Sequence, residues 1–208
     1  RLTGANAFEA KEVSGHYIFD SSLHILNKGQ ATISYGTYQF SGSLQAQAPM
    51  ALKLQVDGAI QTTLPSSQQP LTVQAHAKLE GELARPDASL NLQASLTPDI
   101  PAAKAVTTKP TRAMQAEVSA QITPWQAQPL TQGNAQWQAL NLGALWPNAP
   151  QTELAGQASV TPSGANWRAL VNTSNSLPGP WDLGRLPVNT LKADVQYAQG
   201  QWLIQSLN

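Results

Sequence analysis

Three histidines, His16, His24 and His76, are the side chains of this sequence best suited to hold a metal or move a proton near neutral pH. None has a second ligand at metal-binding spacing. His16 and His76 read as outward positions of β-strands, and His24, between Leu23 and Ile25, reads as outward too. Glu80 and Glu82 share the wet side of one strand, as the paired carboxylates of a glycosidase must. Adjacent outward positions are also where charge sits by default to keep a sheet soluble, and that is the preferred reading. Serines are plentiful, yet no GxSxG elbow precedes a helix, and the phosphate-cradling GxxxxGK and GxGxxG patterns are absent. The chain therefore reads as a protein that is not an enzyme, with no catalytic residues, no metal site and no cofactor. Six tryptophans, Trp125, Trp137, Trp146, Trp167, Trp181 and Trp202, all lie in the second half. Exposed, they would stack on sugars; at this spacing they read as core or groove lining, with Trp167 on the dry side of its strand.

The elements that would position these residues are strands. LTVQAHAKLEGEL, residues 71 to 83, places Leu71, Val73, Ala75, Ala77, Leu79, Gly81 and Leu83 on one parity and polar residues on the other, so one face is shielded and one is wet. The same segregation recurs in LKLQVDGAIQTTL, ASLNLQASL, AMQAEVSAQI, ELAGQASV, ANWRALV and LKADVQY, and ATISYGTYQFSGSLQA reads as a hairpin turning near Gly36. About ten strands are legible, joined by turn chemistry at LPSSQQPL, LARPDA, TPSGAN and YAQGQW. The expected lining of the dry face is Leu52, Leu54, Val56, Ile60, Leu71, Val73, Leu79, Leu90, Leu92, Met114, Val118, Ile122, Val160, Trp167, Val171, Leu191 and Val195. Gly58, Gly81 and Gly156 share that parity and are expected to leave room for the sheet to curve or for a chain to pass.

Two connections differ from the rest. Residues 99 to 112, DIPAAKAVTTKPTR, have no period and read as a flexible insertion between strand segments at 1 to 98 and 113 to 208. In LNLGALWPNAP, Leu142, Leu145 and Trp146 stand at helical spacing before Pro147, so a short helix is expected near 140 to 146. The fold class expected is all-β: an elongated, curled antiparallel sheet with an apolar trough, or alternatively a closed β-sandwich, since both give alternating strands and frequent turns.

Composition narrows the partners. The chain has 208 residues, enough to bury a substantial core, but only 12% are charged and the formal net charge is zero. With no basic cluster there is nothing to displace counterions from nucleic acid, and nucleic acid is set aside. The absence of cysteine excludes disulfides and thiolate chemistry. The sequence opens at Arg1 and stops in mid-pattern at SLN208, and is expected to be a piece of something longer.

Two stretches are more specific. WQALNLGALWPNAPQTELAGQASV carries Asn141, Leu142, Leu145, Trp146, Pro147, Ala149, Pro150, Leu154, Gly156 and Val160. NSLPGPWDLGRLPVNTLKADVQYAQGQW carries Leu177, Pro178, Gly179, Pro180, Trp181, Asp182, Arg185, Leu186, Pro187, Val188, Leu191, Ala193, Gly200 and Trp202. In this order they resemble the NLxxLWPxAPxxxLxGxxxV and LPGPWDxxRLPVxxLxAxxxxxxGxW segments of the TamB family, the AsmA-like inner-membrane component of the translocation and assembly module. The specific match covers about a third of the chain, and the membrane anchor and C-terminal domain of that family have no counterpart in it. The resemblance implies a middle, periplasmic segment of an inner-membrane-anchored protein of a Gram-negative bacterium, folded as a taco-shaped sheet. It implies phospholipid acyl chains and an outer-membrane β-barrel protein as partners, and lipid transport in outer-membrane biogenesis as the activity. A scaffold for outer-membrane β-barrel or autotransporter assembly is the alternative within the family, and a closed sandwich binding module the alternative outside it.

Overall fold

The computed structural model describes residues 10–34, 36–63, 70–99, 113–146, 148–164, 166–198 and 200–208. Twelve strands form one sheet in the order of the sequence, each antiparallel to the next. They are β1 (Ala10–Phe19), β2 (Leu23–Ile33), β3 (Gly36–Gln45), β4 (Ala51–Thr63), β5 (Pro70–Glu82) and β6 (Leu90–Asp99), followed by β7 (Gln115–Ile122), β8 (Leu130–Leu140), β9 (Leu154–Ser163), β10 (Asn166–Asn175), β11 (Thr190–Ala198) and β12 (Gln201–Leu207). Short polar turns favour this meander, because an antiparallel neighbour is the partner a few residues of loop can reach. One helix, α1 (Leu142–Leu145), interrupts the pattern where Asn141 caps it and Trp146 ends it, as the spacing before Pro147 predicts. Tyr35, residues 64–69 of the expected LPSSQQPL turn, residues 100–112 of the expected insertion, Pro147, Ala165 of TPSGAN and Gln199 of YAQGQW lie outside the described residues.

The sheet is open. β1 and β12 do not pair with each other, and each strand packs on its neighbours in sequence. A closed sandwich would bury the inner side chains of two facing layers. Here the apolar residues that are buried among the described ones are Ala88, Leu90, Leu145 and Ala169, while inward leucines such as Leu54, Leu79 and Leu92 are half-buried. The sandwich alternative is therefore not the fold: apolar side chains shelter one another along the sheet, and among the described residues no second layer stands above them.

Twelve strands form where alternation makes about ten legible, and the difference has a physical cause. β1, the first half of β2, and β8 contain bulges, at which one strand carries an extra residue and the inward parity flips. Glu12, Lys28 and Ala139 sit at these irregularities with positive φ, at 50°, 50° and 53°. In β2, Leu26 pairs Gly42 while Gly29 pairs Phe40, so the inward set runs His24, Leu26, then Gly29 and Ala31. Period-two counting fails across such a step.

Loops tie the ends of the strands together. At the edge holding the β1–β2, β3–β4, β5–β6 and β7–β8 connections, the Ala46 N–H donates to Ser22 O at 2.8 Å, and the Leu83 and Ala84 N–H groups donate to Pro49 O at 3.3 and 3.2 Å. The Trp125 indole N–H then reaches Leu83 O at 2.9 Å, which fixes an otherwise 60% exposed side chain. At the opposite edge the β8–β9 and β10–β11 connections interlock, and these carry the two family-like stretches.

Candidate functional site

Cross-strand register turns the alternation into a continuous surface. Directly paired residues share a face of the sheet. From β1 to β12 one such row reads Tyr17, Leu26, Gly42, Leu54, Leu79, Leu92, Ala120, Gly133, Val160, Ala169, Val195 and Ile204. Beside it runs Phe40, Val56, Ala77, Ala94, Val118, Ala135, Ala158, Val171, Ala193 and Leu207. No charged residue enters either row. Leu52, Leu90 and Ile122 extend the face toward one edge, and Ile60, Leu71, Val73 and Leu191 toward the other. Trp167 joins it between Pro162 and Tyr197. Of the expected lining, Met114 alone falls outside the strands, just before β7.

Three features of this face differ from the sequence expectation. His24 is inward: it pairs Leu44, which pairs Leu52, and its ring stacks on Phe19 with centroids 4.6 Å apart while Nδ1 meets the Tyr17 hydroxyl at 2.7 Å. The Lys28 bulge reverses its parity relative to the rest of β2. The dry-side glycines do not leave open space. Tyr38 lies over Gly58, where a methyl would stand 2.6 Å from the ring, and Trp137 lies over Gly156 at 2.8 Å, so aromatic rings fill the notches and smooth the wall. Gly81 has φ +156° and abuts the Ser89 carbonyl so closely that no side chain fits. The face also includes Tyr38, Phe40, Trp137, Tyr197 and Trp202, so aromatic side chains extend it beyond the expected lining.

The other face is polar, and the hollows lie there. Gln39, Asp57, His76, Ser95, Glu117, Gln136, Gln157, Asn172 and Lys192 form one paired row. A shallow hollow of about 460 Å³ is lined by Gln55, Asp57, His76, Lys78, Glu117 and Gln136, among others. His76 Nδ1 donates to Asp57 Oδ1 at 2.6 Å, and Arg168 Nε donates to Asp194 Oδ1 at 3.0 Å. The outward reading of His16 and His76 holds, as does that of Glu80, which faces Lys53, and Glu82. Among the described residues no three His, Asp or Glu side chains approach closely enough to hold a metal ion.

Both carboxylates are held below the ordinary range, Asp57 first by the His76 hydrogen bond and Asp194 first by that from Arg168. A folded value below the unfolded one stabilises fully above the unfolded value, near ~3.9, and is lost as pH falls through the lowered folded value. Asp57→Asn and Asp194→Asn are therefore expected to lower stability slightly and evenly from pH 6 to 8, the loss being small because water screens both pairs, and to converge on the unmodified protein as pH falls below about 4. Thermal melts at stepped pH would measure this.

At the edge of β8–β11 the apolar face acquires a cover. The 141–153 and 176–189 connections form one cap, joined by Gln151 N–H donating to Gly184 O at 2.7 Å, Ser176 N–H to Glu153 O at 3.0 Å, and a parallel bridge of Gln151 with Arg185. Asn175, on the inward parity, is its keystone: Oδ1 accepts from Glu153 N–H at 3.2 Å and Leu177 N–H at 3.1 Å, and Nδ2 donates to Leu186 O at 3.3 Å. Thr152, 2% exposed, donates to Leu140 O and accepts from Leu142 N–H, both at 3.0 Å. Asn141 Oδ1 accepts from Gly143 and Thr152 N–H groups. Trp137 donates to Thr173, buried beside Asn175. The most specific parts of the sequence thus meet in space, which strand patterning alone does not reveal. On the outside of the cap, Trp181 and Leu183 are 64% and 72% exposed.

Comparisons with family models, curated proteins and solved structures found no match to this chain. Among the described residues no helix is long and apolar enough to cross a membrane.

Proposed function

We propose that the chain is a segment of a periplasmic lipid conduit whose apolar face carries phospholipid acyl chains between inner and outer membranes. The observation that supports this most is the apolar row running unbroken through twelve strands with, among the described residues, no second layer over most of it. An isolated soluble domain has reason to cover such a face, since contiguous exposed apolar surface marks a binding site or an aggregation hazard. Twelve strands at about 4.8 Å extend on the order of 50 Å. An acyl chain of about sixteen carbons loses roughly 12 kcal/mol when fully exposed to water, at about 0.8 kcal/mol per methylene. A continuous apolar wall removes much of that cost along the path, and a wall without charges or deep pockets lets the chain slide. The likeness of residues 137–160 and 175–202 to segments of the TamB family supports the same reading, and with it a periplasmic location in a Gram-negative bacterium, within an inner-membrane-anchored protein that works with an outer-membrane β-barrel.

Purification from bacterial periplasm followed by native mass spectrometry tests the proposal. Co-purifying phospholipid, recovered by solvent extraction, is the expected result; a lipid-free protein that also fails to take up a fluorescent fatty acid would overturn it. A second reading, a scaffold for outer-membrane β-barrel assembly, draws on the same apolar face, against which the apolar side of an unfolded strand would pack. Retention of an unfolded β-barrel client by lipid-free protein would favour that reading.

A further inference from the structure

We infer that the cap formed by residues 141–153 and 176–189 is a gate on the apolar face, so that an acyl chain crossing the β8–β11 edge must first displace it. This rests on the lipid-conduit reading and adds a control point to it. The cap covers inward positions of the sheet: Leu186 O is bonded to Asn175, and Asn175 pairs Leu154, which pairs Leu140. Leu145, Thr152, Thr173 and Asn175 are all buried there, whereas the inward leucines of β4 and β5 are half-buried.

The cap is held by polar contacts. Where an open apolar face would favour a greasy seal, Thr173 and Asn175 replace the apolar residues of the inward parity, and Asn141 and Thr152 complete the latch. Hydrogen bonds of this kind exchange for bonds to water at small net cost, about 0.5–1.5 kcal/mol each, while an apolar seal would resist opening in proportion to its area. The connection also has pivots. Gly184 is left-handed, with φ 67° and nothing within 4 Å of where its side chain would be, and Asn148 in the facing connection has φ 66°. Trp181 and Leu183 face outward and contribute little to holding the cap closed.

The sequence lacks cysteine, which permits a clean lock. Gln151 and Arg185 are bridge partners, so Gln151→Cys combined with Arg185→Cys places two thiols at disulfide separation across the latch. Binding of a dansyl-labelled long-chain fatty acid would be followed on the same preparation oxidised and then reduced, with circular dichroism to verify equal folding. Locking removes the open population, so energy transfer to the dansyl group from Trp137, Trp146 and Trp181, which reports probe at the β8–β11 edge, is expected to appear at least about tenfold more slowly in the oxidised form, with recovery on reduction and no such change in either single-cysteine variant. Equal loading in both redox states overturns the gate and leaves the conduit standing. Failure to bind in either state, together with failure of the unmodified protein, overturns both.

Discussion

Leu92→Asp is expected, on the conduit proposal, to lower acyl-chain binding by about a hundredfold. Leu92 lies mid-row, between Leu79 and Ala120, and Val118 in the next row lies between Ala94 and Ala135. A carboxylate at either position is flanked by aliphatic groups with no cation on the same face. A chain sliding past must leave three or four methylenes unpaired with the wall, about 3 kcal/mol at about 0.8 kcal/mol per methylene. Leu92→Ala, which narrows the wall without charging it, is expected to lose far less. Fatty-acid titration against Leu92→Asp, Val118→Asp and Leu92→Ala checks the order, with circular dichroism to establish that the sheet persists. Equal binding by all three would place the lipid path elsewhere.

Asn175→Ala is expected to be the most destabilising single change at the cap. It strands the Glu153 and Leu177 N–H groups and the Leu186 carbonyl together. Burying such groups unpaired costs about 1–3 kcal/mol each before relaxation, so a loss of about 2–4 kcal/mol and a fall in Tm of about 5–10 °C are expected. Asn175→Asp keeps the acceptor but sets a buried carboxylate oxygen against the Leu186 carbonyl, and is expected to destabilise more at neutral than at acid pH, where the protonated carboxyl donates to Leu186 again. Thermal melts would read the loss, and tryptophan near-ultraviolet circular dichroism would show whether Trp181 loses its fixed environment while the sheet signal remains.

Much of the sheet was legible in the sequence because period-two alternation is a local property that pairing only reinforces. Leu52 to Leu64 and Leu71 to Leu83 announce two long strands and their inner faces without any knowledge of what lies next to them. The bulged segments were not legible by that rule. An extra residue at Lys28 or Ala139 shifts parity, so His24 assigned by counting lands on the wrong face. Whether the sheet closes was also beyond the pattern, since inward leucines look alike in a sandwich and an open layer; half-burial of Leu54 and Leu79 decides it. The cap was half visible. Leu142, Leu145 and Trp146 before Pro147 mark a short helix, but its union with 176–189 depends on hydrogen bonds between residues far apart in sequence. Thr173 and Asn175, polar residues on the inward parity at the end of β10, were the signal that something covers the face there.

Neighbour-only pairing has a consequence for how such a protein acquires its length. Inserting or deleting one hairpin changes the span by about 10 Å, keeps the direction of every later strand, and leaves the inward rows in line so long as the new pair preserves register. Loss of a single strand would reverse everything after it and send each later loop to the opposite edge. Span in this architecture is therefore quantised in pairs of strands, and a lineage can lengthen or shorten it by duplicating or deleting a hairpin, without redesigning a single contact elsewhere.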